Sequence, residues 1–339
     1  MAENSPIDSP AIILYPILTM SIRLKSFLII AVVVAVIAAS GVAVGILSAQ
    51  NQILKTLEVD MKLAASLSNE YLSRESDRLK TNAATVAQVI KNTQMRELQQ
   101  VLVEQVAAYE QFQAITIFNP AGKVDVSYGI APAAEEIALG EYGQRAYEGQ
   151  RVISSSYVDA LGNLVFYVLV PLDEYPFQVG DEQDTLPRIV VCTVPGLLFS
   201  EQLNSFLIWD NGNISMQDRA GTIIANVHTE WVMERLNFLE IAEQDHRYKG
   251  AAEAVRRMTE GRSGTARFAL ENVDALITYM PAGAAEQGWS LAVIAPVKES
   301  PYYHVWVTVV IAGIIFLCLG LIAAALGSGI IARLFQQRK

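Results

Sequence analysis

The sequence predicts an α+β protein held between two transmembrane helices, and three observations carry that expectation. Two long apolar stretches, Phe27–Leu47 and Val305–Ala332, lie near the two ends. Residues 48 to 112, after the first stretch, have the composition of a continuous helix. Beyond them a strand–turn–strand pattern occurs twice, at an offset of 99 residues.

The first stretch reads FLIIAVVVAVIAASGVAVGIL, 21 residues without a charge. At 1.5 Å rise per residue it spans about 30 Å, one hydrocarbon core. It is longer than a signal-peptide core and no clean cleavage site follows it. Arg23 and Lys25 precede it, and Arg333, Arg338 and Lys339 follow the second stretch. The positive-inside rule therefore sets both ends in the cytoplasm and Ser48 to His304 outside. The expected order is a cytoplasmic tail (1–26), a first transmembrane helix (27–47), an extracytoplasmic stalk helix (48–112), a membrane-distal module (113–204), a membrane-proximal module (205–299), a second transmembrane helix (305–332) and a short cytoplasmic tail (333–339). The localisation expected is a cell membrane crossed twice, with the lipid bilayer as a partner. The apolar run Ala11–Thr19 is too short to span, and Met20 before SIRLKSFLII is read as an alternative start to Met1.

The chain carries 25 Lys and Arg against 35 Asp and Glu, a net charge of −10. Its flanks are basic, so the exposed segment is more acidic still, at about −13. Such a surface is a poor partner for nucleic acid or an anionic membrane. Cys318 falls in the second apolar stretch and Cys192 in the exposed segment, so no disulfide is expected.

From Ser48 to Phe112 the sequence is nearly free of Gly and Pro and rich in Ala, Leu, Glu, Lys and Gln. Leu54, Leu57, Met61, Ala64 and Tyr71 form an apolar stripe open to two uses, a dimer partner or the chain's own domain. Gly41-x-x-x-Gly45 offers a second dimer face, inside the membrane helix. A break is expected near Asn92 to Gln94.

AITIF, a turn at Asn119-Pro120-Ala121-Gly122 and KVDVSY predict a hairpin. A helix over Glu135 to Glu148 follows, then VISSSYV, a turn at Leu161-Gly162-Asn163 and LVFYVLVPL. Pro176 to Pro187 is expected as loop, RIVVCTV as strand and Pro195 to Asn204 as helix. The pattern then restarts, with Ile214–Gly221 aligned without a gap on Ile115–Gly122. A long helical stretch from Trp231 to Glu260, the hairpin GTARFAL–ALITYMP and the strand WSLAVIAPV complete a second, similar module.

In order and spacing, the NPAGKV and DRAGTIIAN turns, SSYVDALGNLVFYVLVP and GRSGTARF…ALITYMPA…GWSLAVIAPVKE resemble the double Cache family of extracytoplasmic sensor domains. The resemblance covers Ser48 to Glu299 and implies two tandem PAS-like (Cache) modules on a long stalk helix, with a small ligand in the distal one. Amino-acid-binding members carry an Arg-x-Trp-Tyr cluster and an acid. Here the cluster reads Leu139-Gly140-Glu141-Tyr142 and Thr193 stands near the acid's place, so an α-amino acid is not implied. Only Tyr142, Tyr157 and Asp159 match, and the match carries over the two tyrosines as site residues. Three more are read from their positions: Arg145 one turn beyond Tyr142, Asp159 as the nearest acid, and Phe166 as the inward ring of its strand. Members of the family continue into a HAMP linker and an output module. IIARLFQQRK resembles the start of such a linker, so the chain reads as a sensor without a transmitter or as a fragment. A separate cytoplasmic signalling partner is then expected.

His228, His246 and His304 lie in different elements, with no paired spacing for zinc. No nucleophile-elbow, phosphate-loop or kinase motif is present. No catalytic residue, metal or cofactor is expected. Two function classes remain, a receptor input that binds a small molecule and a membrane-anchored scaffold without a ligand.

Overall fold

The computed structural model describes residues 21–172, 177–179, 182–184, 186–206, 211–270, 273–283, 288–300 and 304–337. The reading of Met20 as a start lies outside them. The chain divides into two compact units, one made of 1–56 with 301–339 and the other of Leu57–Ser300.

In the first unit, helix α1 (Ile22–Lys91) supplies its N-terminal part, and helix α8 (Val305–Gln337) is its partner. Both helices are long and apolar enough to cross a membrane. Their outward side chains are apolar, among them Ile29, Val33, Val36, Ile315, Leu319 and Leu326. Such a surface suits lipid and not water. Glycine sets how closely the helices approach. A methyl group on Gly313 would lie 2.0 Å from Val42 Cγ2, and one on Gly320 would lie 2.3 Å from Val34 Cγ1. Gly45 meets Val309 in the same way, while Gly41 has nothing within 4 Å. The Gly41/Gly45 face expected for a dimer is thus partly occupied within the chain.

In the second unit, α1 buries a stripe at steps of three or four residues: Leu57, Met61, Ala65, Ser68, Leu72, Ser76, Leu79, Ala83, Val86 and Ile90. Leu57 and Met61, two of the residues open to a dimer role, therefore face their own domain, and Tyr71 packs on Phe206 at 5.1 Å. The helix stops at Lys91, a one-turn 3-10 segment intervenes, and α2 (Leu98–Ala108) continues, so the break falls where it was expected.

The distal module holds β1 (Ala114–Phe118), β2 (Val124–Tyr128), helix α3 (Glu141–Tyr147), β3 (Val152–Ile153), β4 (Tyr157–Val158), β5 (Leu164–Leu172), β6 (Phe177–Val179), β7 (Glu182–Asp184), β8 (Arg188–Pro195) and helix α4 (Leu198–Leu203). The proximal module holds β9 (Asn213–Gln217), β10 (Ile223–Asn226), helices α5 (Thr229–Met233), α6 (Phe238–Gln244) and α7 (Lys249–Thr259), then β11 (Gly264–Leu270), β12 (Val273–Pro281) and β13 (Ser290–Pro296). The sheets run β2-β1-β8-β5-β3, with β4 also on β5, and β10-β9-β13-β12-β11. All pairs are antiparallel, and the two orders are the same. The repeat read from the sequence is a repeat of topology.

Four boundaries differ from expectation, each for a local reason. VISSSYV is two short strands, because Ser154 Oγ accepts from Tyr167 N and donates to Ser155 O at the step between them. The helix expected from Glu135 starts only at Glu141, after a turn that closes at Gly140. Pro176–Pro187 contains the small β6–β7 pair. Trp231–Glu260 is three short helices and not one. The Asn237 side chain accepts from Leu239 N and starts α6, and that of Asp245 accepts from Arg247 N and starts the 3-10 turn His246–Tyr248 that leads into α7.

Side-chain alternation divides the core. One face of both sheets packs on α1 in a single shared cluster. The opposite faces carry separate clusters, around α3 in the distal module and around α6 and α7 in the proximal one.

Candidate functional site

The sequence-derived site residues separate into three groups. Tyr142 and Tyr157 stand on the α3 side of the distal sheet. The Tyr142 hydroxyl accepts from Ser155 N at 3.1 Å, and the Tyr157 ring lies 5.8 Å from that of Tyr167. Burial pushes all three phenols upward, Tyr157 and Tyr167 to about 12. They stay neutral hydroxyls at any physiological pH. Two nearby residues of the same module, Ser156 and Thr193, have buried hydroxyls without a hydrogen-bond partner. Thr193 is opposite Tyr167 in the β5–β8 ladder and so shares its face. Its place was noted in the sequence as that of a missing acid. Its value as an orphan hydroxyl depends on the register and could not be read there.

Arg145 and Asp159 are held by local contacts. Arg145 Nε donates to Gln150 Oε1 at 2.9 Å. Asp159 Oδ1 accepts from Leu161 N and Asn163 N, and Oδ2 accepts from Asn163 Nδ2. Its slight desolvation would raise the carboxyl, but these donors outweigh it and hold it below the usual range. Gly162 closes the turn at φ 85°. The same turn occurs at Asn119, which accepts from Ala121 N and Lys123 N before Gly122, and at Asp218, which accepts from Ala220 N and Thr222 N before Gly221. Asp159 is the middle member of three equivalent Asx turns. The geometry assigns it to the turn.

Phe166 lies on the other face of β5. It packs at 5.3 Å from Phe199 of α4 and 6.0 Å from Trp289, beside β13, with Phe199 and Trp289 5.7 Å apart. Alternation does bury the ring, but against the neighbouring module, away from Tyr142. The choice between Val165 and Phe166 turned on which face is the ligand side, and one strand cannot reveal that.

The Asp218 turn ties the modules together beside Tyr142. Ser155 Oγ donates to Asp218 Oδ2 at 2.6 Å, and Arg235, at φ 53°, donates from Nη1 to Ser156 O at 2.6 Å. Arg219 and Glu141 form a solvated pair at 3.5 Å. The face that holds Tyr142 is therefore also a junction.

A feature the sequence did not flag is a cavity of about 490 Å³ in the proximal module. Its floor is β9, with Asn213 and Gln217, and the neighbouring Ile277 and Ile294. Its far wall is Trp231, Phe238, Ile241, Tyr248 and Val255 from the helical side. The volume is that of an ordinary small-molecule pocket. The aromatic side chains form a run, with Trp231 to Phe238 at 5.9 Å and Phe238 to Tyr248 at 5.9 Å. Asn213 Oδ1 and Gln217 Oε1 are buried without partners. Three polar residues alternating on an apolar strand, N-I-S-M-Q, were the available signal. Among the described residues no group of three His, Cys, Asp or Glu could hold a metal ion.

No protein-family profile matches the chain, and no curated protein matches it. Solved structures do. The ligand-binding domain of the Pseudomonas fluorescens chemoreceptor CtaA, solved with L-isoleucine, is 14% identical with a TM-score of 0.52, over 73% of this chain and 95% of that one. The periplasmic sensory domain of the Campylobacter jejuni chemoreceptor Tlp1 is 11% identical with a TM-score of 0.52, over 73% and 98%. An extracellular domain assigned to a histidine kinase, mmHK1S-Z3, is 12% identical with a TM-score of 0.52, over 72% and 95%. At such identities the likeness is one of fold. The chain has the fold of the double Cache sensor domains, as its turns and strand order predicted.

Proposed function

We propose that this chain is the sensory input of a two-span membrane receptor, with Leu57–Ser300 as a non-enzymatic, extracytoplasmic ligand-binding domain. The observation that carries the reading is the fold of that unit, two sheets of one strand order, which is similar as a whole to sensory domains of chemoreceptors and histidine kinases. Arg23 and Lys25 before one apolar stretch and Arg333 after the other support a cytoplasmic location for both ends.

The distal ligand is proposed to be a small, uncharged polar molecule on the Tyr142, Tyr157 and Tyr167 face. Thr193 Oγ1 is unsatisfied there, as is Ser156 Oγ next to Tyr157 in the chain, and buried hydroxyls seek partners. L-isoleucine belongs to the CtaA domain. Here Thr193 cannot pair with an ammonium group, and Arg219 beside Tyr142 is already paired with Glu141. Signalling would require that the ligand favour one arrangement of the domain over another. A homodimer and a separate cytoplasmic partner complete the proposed receptor.

Thermal-shift screening of the full-length chain in lipid nanodiscs tests this reading. A ligand present at 100 times its dissociation constant adds about 2.7 kcal/mol of stability. Tyr142→Ala should remove the shift of a distal ligand. A chain that ignores every class of small molecule is a scaffold and not a sensor.

A further inference from the structure

The repeat allows the two modules to be compared position by position. On the face turned from α1, β1 presents Ala114, Thr116 and Phe118, and β9 presents Asn213, Ser215 and Gln217 at the matching places. Phe118 is fully buried and fills the outer core of the distal module. Its counterpart Gln217 is also buried, 2% exposed, but lies at the floor of a cavity. Gln217 Nε2 donates to Ser215 Oγ at 3.1 Å and Oε1 has no partner. Turning the amide over only exchanges which atom is left unpaired. Asn213, 6% exposed, adds the unpaired Oδ1. An otherwise apolar chamber therefore offers amide edges at its base, complementary to a group that both donates and accepts.

The cavity also restricts charge. Its described lining contains no Lys or Arg, and its one imidazole, His228, faces Glu230 Oε1 at 3.5 Å. The one acid, Glu299, already accepts from the backbone N and the side-chain Nδ2 of Asn211. An anion would be buried with no permanent cation and would compete with Glu230 for His228, and a cation would lose water for a carboxylate already engaged. We infer that the proximal module holds a second ligand site, for an uncharged and largely apolar molecule bearing one hydroxyl or carboxamide. The polar group meets Gln217 and Asn213, and the apolar body lies against Trp231, Phe238 and Ile277. Binding there does not require that the distal module bind anything.

The test uses the full-length chain in nanodiscs with three probes of one size, phenylethanol, phenylacetate and phenylethylammonium. The alcohol should raise the melting temperature and the two ions should not. Gln217→Phe copies the distal module at this position, filling the chamber and removing its amide. It should weaken the alcohol by more than about tenfold, since one net hydrogen bond alone is worth up to about that factor. If Gln217→Phe does not fold, Ala251→Leu intrudes from the helical wall with the floor intact and should have the same effect. The inference is overturned if none of the probes binds, if an ion binds as well as the alcohol, or if the shift survives in a folded cavity-filling variant. A shift that survives Gln217→Phe but is lost in Tyr142→Ala would place the ligand in the distal module, overturning this site and leaving the sensor reading intact.

Discussion

Removing the Ser155 hydroxyl should loosen the tie between the two modules by a predictable amount. Ser155 Oγ donates at 2.6 Å to Asp218 Oδ2, and Asp218 is 7% exposed, so the bond is charge-assisted and nearly dry. Bonds of that kind contribute about 1.5–3 kcal/mol. In a unit of this size each kcal/mol moves the melting temperature by about 2–4 °C, so Ser155→Ala should lower it by about 3–12 °C. Asp218→Asn keeps an acceptor for Ala220 N and Thr222 N but removes the charge. A double-mutant cycle between the two positions, read by urea unfolding of the full-length chain, should return most of that energy as coupling. Asp159→Asn is the control, because it alters the same kind of turn without a partner in the other module, and its cost should stay below about 1 kcal/mol. A coupling energy indistinguishable from zero would refute the reasoning. The contact would then be incidental.

Three further outcomes are expected. A cysteine at Ala160 should react with an impermeant maleimide in cells whose inner membrane is intact, and one at Arg333 should not; the opposite pattern reverses the topology. Engineered cysteines at Val59, Leu63 or Leu67, apolar positions of α1 left exposed by the fold, should crosslink a homodimer, whereas Leu57 and Met61, at 0% and 1% exposure, should not. Burial raises the Tyr157 and Tyr167 phenols to about 12 in the folded chain, against an unfolded value near 10. The unfolded state therefore ionises first, and stability should fall as pH rises from about 10 to about 12. An unchanged unfolding free energy across that window would contradict the buried setting of these rings.

The hairpins and the doubled module were legible because turn chemistry is local. An Asx residue followed three places later by glycine marks Asn119, Asp159 and Asp218 alike, and all three close the same turn. The composition of α1 from Ser48 to Lys91 was equally plain, since it holds neither Gly nor Pro. Which side of α1 faces the domain was not. Leu57 and Val59 are both apolar, and only the sheets decide that one is buried and the other exposed. The site was less readable still. Asp159 was chosen as the nearest acid to a turn, and that turn is the one its own carboxylate holds. Phe166 was grouped with Tyr142, from which the fold separates it, because alternation gives two faces without saying which is occupied by the other module. The proximal helices were read as one because apolar periodicity runs through Asn237 and Asp245, whose capping becomes visible only when their side chains fold back.

Cys192 gives the molecule its own clock. It sits in the middle of β8, opposite Ile115 of β1 and Val168 of β5, fully buried, and burial pushes its thiol far above the ordinary range. Only the thiolate reacts, so the folded state is close to inert toward alkylating reagents. Any modification must wait until β8 parts from its neighbours. With Cys318 changed to serine, the rate at which Cys192 is alkylated measures how often the distal sheet opens, in the bilayer and without denaturant. A bound ligand that steadies the sheet should lengthen that interval, so the chain carries a native reporter of its own occupancy.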